Sequence, residues 1–113
     1  MRRTFQVGLG LFLASFLFAA NPRECVDLSA RQDRDVSSPS GIRVMINGYN
    51  KCSEDIDGGA TYFRVNVIGA SGTAIARQSG RFGGAIRPGG RVETLVFVIC
   101  DPERVRSITV EAQ

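Results

Sequence analysis

Three cysteines, one knot of carboxylates and one run of arginines hold most of the chemistry open to this 113-residue chain. Cys25, Cys52 and Cys100 allow one disulfide and leave one thiol over, a usage suited to an oxidising compartment. Chain entropy gives about 3.6 kcal/mol for joining 25 to 52, about 4.1 for 52 to 100 and about 4.5 for 25 to 100, too close to select a pair. Position favours Cys52 with Cys100: Cys52 opens a polar loop after one strand, Cys100 ends another, and a bond between them would pin that loop. Cys25 is then the spare thiol, open to a Cys25-linked dimer or a partner, with Cys25–Cys52 as the alternative.

Glu54, Asp55 and Asp57 lie in a loop closed by Gly58-Gly59, a composition that suits calcium, which prefers oxygen ligands. The spacing is not that of an EF-hand and lacks its terminal glutamate, so a solvated loop is the expectation, with no cofactor. Arg77, Arg81, Arg87 and Arg91 follow one another without an acidic residue until Glu93, interleaved with Phe82. On a protruding hairpin they would present guanidinium forks and one aromatic ring to an anionic polymer or an acidic partner loop. On a plain sheet edge the same arginines would only keep the edge soluble.

There is no histidine, which removes the usual general base of serine and cysteine hydrolases and the commonest transition-metal ligand. No nucleophile elbow or phosphate-cradling glycine loop occurs either. The expectation is a protein that is not an enzyme.

The elements that must position these residues are strands. Residues 21–41 combine Asn21-Pro22, a mixed-charge stretch and Ser37-Ser38-Pro39-Ser40-Gly41, and read as a flexible arm with at most a short strand near 25–28. From Ile42 onward the period is two: Ile42, Val44 and Ile46, then Phe63, Val65 and Val67, face one way and polar residues the other. Asn47-Gly48 has hairpin chemistry, but the strand is expected to run through to Tyr49, because YNKCSEDIDGG has little to bury. A turn at 69–72 separates Tyr62–Ile68 from a weaker strand at 73–78. Arg87-Pro88-Gly89-Gly90 suits a type II turn. Residues 91–100 carry apolar side chains on both faces, Val92, Val96 and Val98 against Leu95, Phe97 and Ile99, and so read as a central strand. Asp101-Pro102 ends it, and 105–111 closes an all-β domain spanning 42–113.

This order of an alternating strand, a polar loop, YFRVNVIGASGTAIARQ with its glycine turn, and IRPGGRVETLVFVI resembles the small bacterial immunoglobulin-like modules of the FxLYD and CARDB type. Phe63-Arg64-Val65-Asn66-Val67 replaces the FxLYD signature itself, so the architecture alone carries over. The resemblance implies an antiparallel immunoglobulin-like β-sandwich over about 42–111. It also implies a role in binding or assembly outside the cytoplasm, with no catalytic residue to transfer.

The address is read at the N-terminus. Arg2 and Arg3, the uncharged apolar run from Val7 to Phe18, and Ala19-Ala20 form the three parts of a cleaved secretory signal over residues 1–20. The run is shorter than the roughly 20 residues a spanning helix needs, so no stable membrane insertion is expected after cleavage. Arg2-Arg3-Thr4-Phe5 also resembles the start of a twin-arginine signal. Setting aside Arg2 and Arg3 from the 14 basic residues leaves 12 against 11 acidic ones, a net charge of +1. The electrostatic case for nucleic acid goes with it. The expectation is a secreted or periplasmic module that binds a protein or an envelope polymer, with a small secreted effector or inhibitor of another protein as the alternative.

Overall fold

Alternation of apolar and polar side chains gives each long strand one face to bury, and the chain buries them by stacking two three-stranded antiparallel sheets. The computed structural model describes residues 21–113. The signal segment expected at 1–20 lies outside them. A single helical turn, α1 (Pro22–Cys25), is capped by the Asn21 side chain, which accepts from the Arg23 amide at 3.0 Å. The long strands are β1 (Val26–Ser38), β2 (Gly41–Asn50), β4 (Tyr62–Ile68), β5 (Ala74–Arg81), β7 (Arg91–Ile99) and β8 (Ser107–Ala112). Two short ones, β3 (Ile56–Asp57) and β6 (Ala85–Ile86), pair with each other. The first sheet has the order β1-β2-β7, the second β5-β4-β8. Among the described residues no helix is long and apolar enough to cross a membrane.

Ile42, Val44, Ile46 and Val98 from the first sheet join Phe63, Val65 and Val67 from the second in one buried cluster. Ile56 and Ile86, opposite each other in the β3–β6 pair, belong to the same core. The polar partners of each alternation face outward. Arg64 there donates to Glu111 on β8 at 2.9 Å, and Asn66 donates to the same carboxylate at 2.8 Å. These charge-assisted bonds, with the nearby guanidinium, hold the Glu111 carboxyl below its ordinary range.

Several expected boundaries are met. β2 runs through Asn47-Gly48 to Asn50, a glycine turn separates β4 from β5, and the Gly90 amide closes on the Arg87 carbonyl at 2.8 Å with Gly89 at φ 72°. A glycine suits that turn because an L side chain is strained at positive φ.

Two expectations are corrected. Residues 26–38 are no flexible arm: β1 pairs with β2 from Val26 opposite Asn50 to Asp33 opposite Arg43. Val26, Leu28 and Ala30 alternate onto the core, so Asp27, Arg31 and Asp33 are the outward half of a strand, while Arg34 and Asp35 lie where the regular pairing breaks off. Nor is 91–99 a central strand. β7 pairs with β2 alone and forms an edge of its sheet, and its second apolar face, Leu95, Phe97 and Ile99, is left exposed among the described residues.

Candidate functional site

The disulfide joins Cys25 to Cys52, with the Cα atoms 5.2 Å apart, and Cys100 is the free thiol. The expected Cys52–Cys100 pair is overturned by the direction of β7. Cys52 follows the end of β2, where Tyr49 faces Arg91, whereas Cys100 follows the other end of β7, where Ile99 faces Gly41. At about 3.3 Å per residue the two lie on the order of 30 Å apart along the sheet. Cys25 instead sits where β1 begins, and its carbonyl accepts from the Lys51 amide at 2.9 Å. The bond therefore staples the open end of the β1–β2 hairpin. Cys25 is therefore not the spare thiol, being bonded within the chain. The Cys100 thiol is pushed above its ordinary pKa, first by burial and then by the neighbouring Asp101 carboxylate.

The acidic loop does not gather its carboxylates. Asp57 accepts from the Gly59 amide at 2.9 Å and caps a 3₁₀ turn at 58–60, while Glu54 and Asp55 point to solvent. Among the described residues no three of the histidine, cysteine, aspartate and glutamate side chains converge as metal ligands would.

The arginines divide between two surfaces. Arg77 and Arg81 stand opposite Asn66 and Tyr62 on the outer face of the second sheet. Arg91 belongs to the outer face of the first, with its guanidinium 4.7 Å from the centroid of the Tyr49 ring. Arg87 is exposed in the turn before β7. Phe82, expected as the exposed ring of that surface, is 3% exposed and packs on Phe63 with ring centroids 5.2 Å apart. A Cβ at Gly48 would come within 2.9 Å of the Phe82 ring, so the ring occupies the space a side chain would need.

Two features were not read from the sequence. The first is Asn50, fully buried where the two ends of the molecule's loops meet. Its side-chain amide donates to the carbonyls of Glu54 at 2.7 Å and Ile86 at 2.8 Å, and its oxygen accepts from the Cys52 amide at 3.0 Å. Its backbone N–H donates to Gly90 and its carbonyl accepts from Gly89. One residue thus organises the acidic loop, the disulfide and the turn into β7.

The second is the outer face of β7. Leu95 and Phe97 are each 44% exposed and Ile99 is 77% exposed, with Met45 beside Leu95 on β2. The Phe97 ring lies over Gly41, where a Cβ would come within 2.7 Å of it. An exposed apolar stripe of this kind, rimmed by charge, is the usual mark of an interaction surface. The signal was present as the second apolar face of 91–99, and it was assigned to the core.

A cleft of about 200 Å³ lies between the start of the described chain and its end, lined by Pro22, Val26, Leu28, Tyr62 and Ala112 among others. It is smaller than the roughly 300–1,000 Å³ of typical small-molecule sites, and a cleft of about 320 Å³ beside Pro39 and Pro102 is lined by surface turns rather than by apolar side chains. Comparison with known proteins finds no matching family model, no matching curated protein and no matching solved structure.

Proposed function

We propose that this chain is a noncatalytic binding or assembly module working outside the cytoplasm, in the cell envelope or the extracellular space, with an immunoglobulin-like arrangement of its two sheets. The observation that carries the reading is the exposed stripe of Leu95, Phe97 and Ile99 on an edge strand. Exposed apolar area costs solubility unless something covers it, and edge strands commonly recruit other chains. The Cys25–Cys52 disulfide supports the address, since such bonds persist in oxidising compartments. The signal-like segment at 1–20 agrees with it.

The reading is tested with protein recovered from the exported fraction of expressing cells and added back to purified envelope fractions. The module is expected to be retained, and Leu95→Lys with Phe97→Ser is expected to release it. Protein that stays free in both forms would sink the assembly reading in favour of a secreted effector acting elsewhere.

A further inference from the structure

The four outer edges of the two sheets are not equally guarded. The β1 edge carries Asp27, Arg31, Asp33, Arg34 and Asp35, β5 carries Arg77 and Arg81, and the short β8 carries Glu111, which Arg64 engages. Charges of this kind deter pairing with foreign strands. The edge strand β7 has none from Thr94 to Ile99. Its charges stand towards its two ends, Arg91 and Glu93 at the start and Asp101 just past the finish. β5 approaches β7 at the corner of the sandwich without forming a ladder with it.

We propose that β7 is a self-association edge, and that a second copy of this chain adds its own β7 antiparallel to it about a two-fold axis at Val96. The proposal rests on the assembly reading above and names its partner. Charge complementarity selects both the partner and the register. With Val96 facing Val96, Leu95 faces Phe97 twice on the outer face, and Arg91 comes opposite Asp101 of the other copy, which lies two residues past the end of β7 and whose carboxylate also accepts from the Glu103 amide at 3.0 Å. Moving the axis to Phe97 would set Glu93 against Asp101, a like-charge pair, and would move the charge opposite Arg91 to Glu103, in the 3₁₀ turn beyond the strand. Moving it to Leu95 would set Arg91 against Ile99 and Glu93 against Phe97. Opposite charges directly across a ladder stabilise and like charges destabilise it, so one register stands out.

Glu93 in that register lies against Ile99, and its carboxylate is already engaged by the Asn47 side chain at 2.9 Å. The β1-β2-β7 sheets of the two copies would merge into one of six strands through an isologous edge, and their apolar stripes would lie side by side on the outer face, each covering the other along the shared border. A net charge of +1 over residues 21–113 offers little repulsion between copies.

Sedimentation of the purified exported protein over a concentration series tests the proposal. The wild type is expected to be a dimer. Leu95→Lys, at an exposed position, should raise the dimer dissociation constant by at least about tenfold while leaving the far-ultraviolet circular dichroism spectrum in place. Arg91→Glu and Asp101→Arg should each be monomeric, because each sets like charges together at both ends. Mixed one to one they should form a heterodimer, because both of its end pairs are then of opposite sign. A wild-type monomer, a dimer indifferent to Leu95→Lys, or a mixture that stays monomeric although both variants keep the wild-type circular dichroism spectrum would each overturn the proposal. A wild-type monomer still retained by envelope fractions through Leu95 and Phe97 would overturn self-association alone, leaving the edge to a foreign partner.

Discussion

Replacing Asn50 by alanine should unfold more of this protein's stability than its small size suggests. The side chain makes three hydrogen bonds, to the Glu54 carbonyl, the Ile86 carbonyl and the Cys52 amide, from a position with no exposure to water. Alanine deletes all three and leaves the buried Ile86 carbonyl without its side-chain donor. At about 1 kcal/mol for each ordinary bond, and somewhat more where a buried group is stranded, the loss comes to roughly 3 kcal/mol. For a domain near 90 residues that is a fall in Tm of roughly 12 to 24 °C. Urea denaturation with the disulfide intact, followed by far-ultraviolet circular dichroism, measures it. Asn47→Ala, which gives up one exposed bond to Glu93, is the control and should change stability by no more than about 0.5 kcal/mol. An Asn50→Ala loss below about 1 kcal/mol would refute the argument, because the loop, staple and turn would then be held together without it.

Three other perturbations test separate parts of the fold. Cys25→Ser with Cys52→Ser should cost about 2–4 kcal/mol in the same denaturation experiment, and peptide mapping of the wild type should find the 25–52 link with Cys100 as the free thiol. Phe82→Ala should cost about 3–5 kcal/mol by leaving a hole beside Phe63, whereas an exposed aromatic would cost little; a loss within about 0.5 kcal/mol would return Phe82 to the surface. Glu111 should titrate below the ordinary glutamate range by NMR, because its charged form accepts from Asn66 and Arg64. Its folded value is depressed, so the stability it contributes is present above the unfolded carboxylate's pKa and is lost as the pH falls through the folded one. Arg64→Ala should raise its midpoint, and an unmoved midpoint would show that the bond from Arg64 is not what holds it down.

Period two was enough to find β2, β4 and the closing strand, because each has one apolar face and a buried sheet partner to receive it. It misplaced β1 for a physical reason: Arg31, Asp33, Arg34 and Asp35 dominate the local composition, and the inner residues Leu28 and Ala30 are a weak signal beside them. β7 failed in the opposite direction. Two apolar faces describe a strand covered on both sides, and the sequence does not say whether the cover belongs to this chain or to another. The cysteine pairing depended on strand direction across the β2–β7 ladder, a long-range fact that no local pattern carries. Asn50 was invisible because its partners are backbone groups, and backbone groups are the same in every sequence.

Three phenylalanines are each seated on a glycine of a strand: Phe63 on Gly80, Phe82 on Gly48 and Phe97 on Gly41, with hypothetical Cβ distances of 2.8, 2.9 and 2.7 Å. Each pair shares the space of one side chain, so neither member can drift alone. A glycine that gains a methyl must displace a ring, and a ring that is lost opens a hollow that the glycine cannot fill. Across relatives of this chain, substitutions at 48 and 80 should therefore arrive together with smaller residues at 82 and 63, whereas Gly41 should stay glycine whatever stands at 97, because a Cβ there would also run into the Val98 backbone carbonyl. The two sheets would then inherit change in matched couples, and a library randomised at one site of a couple should yield far fewer folded members than one randomised at both.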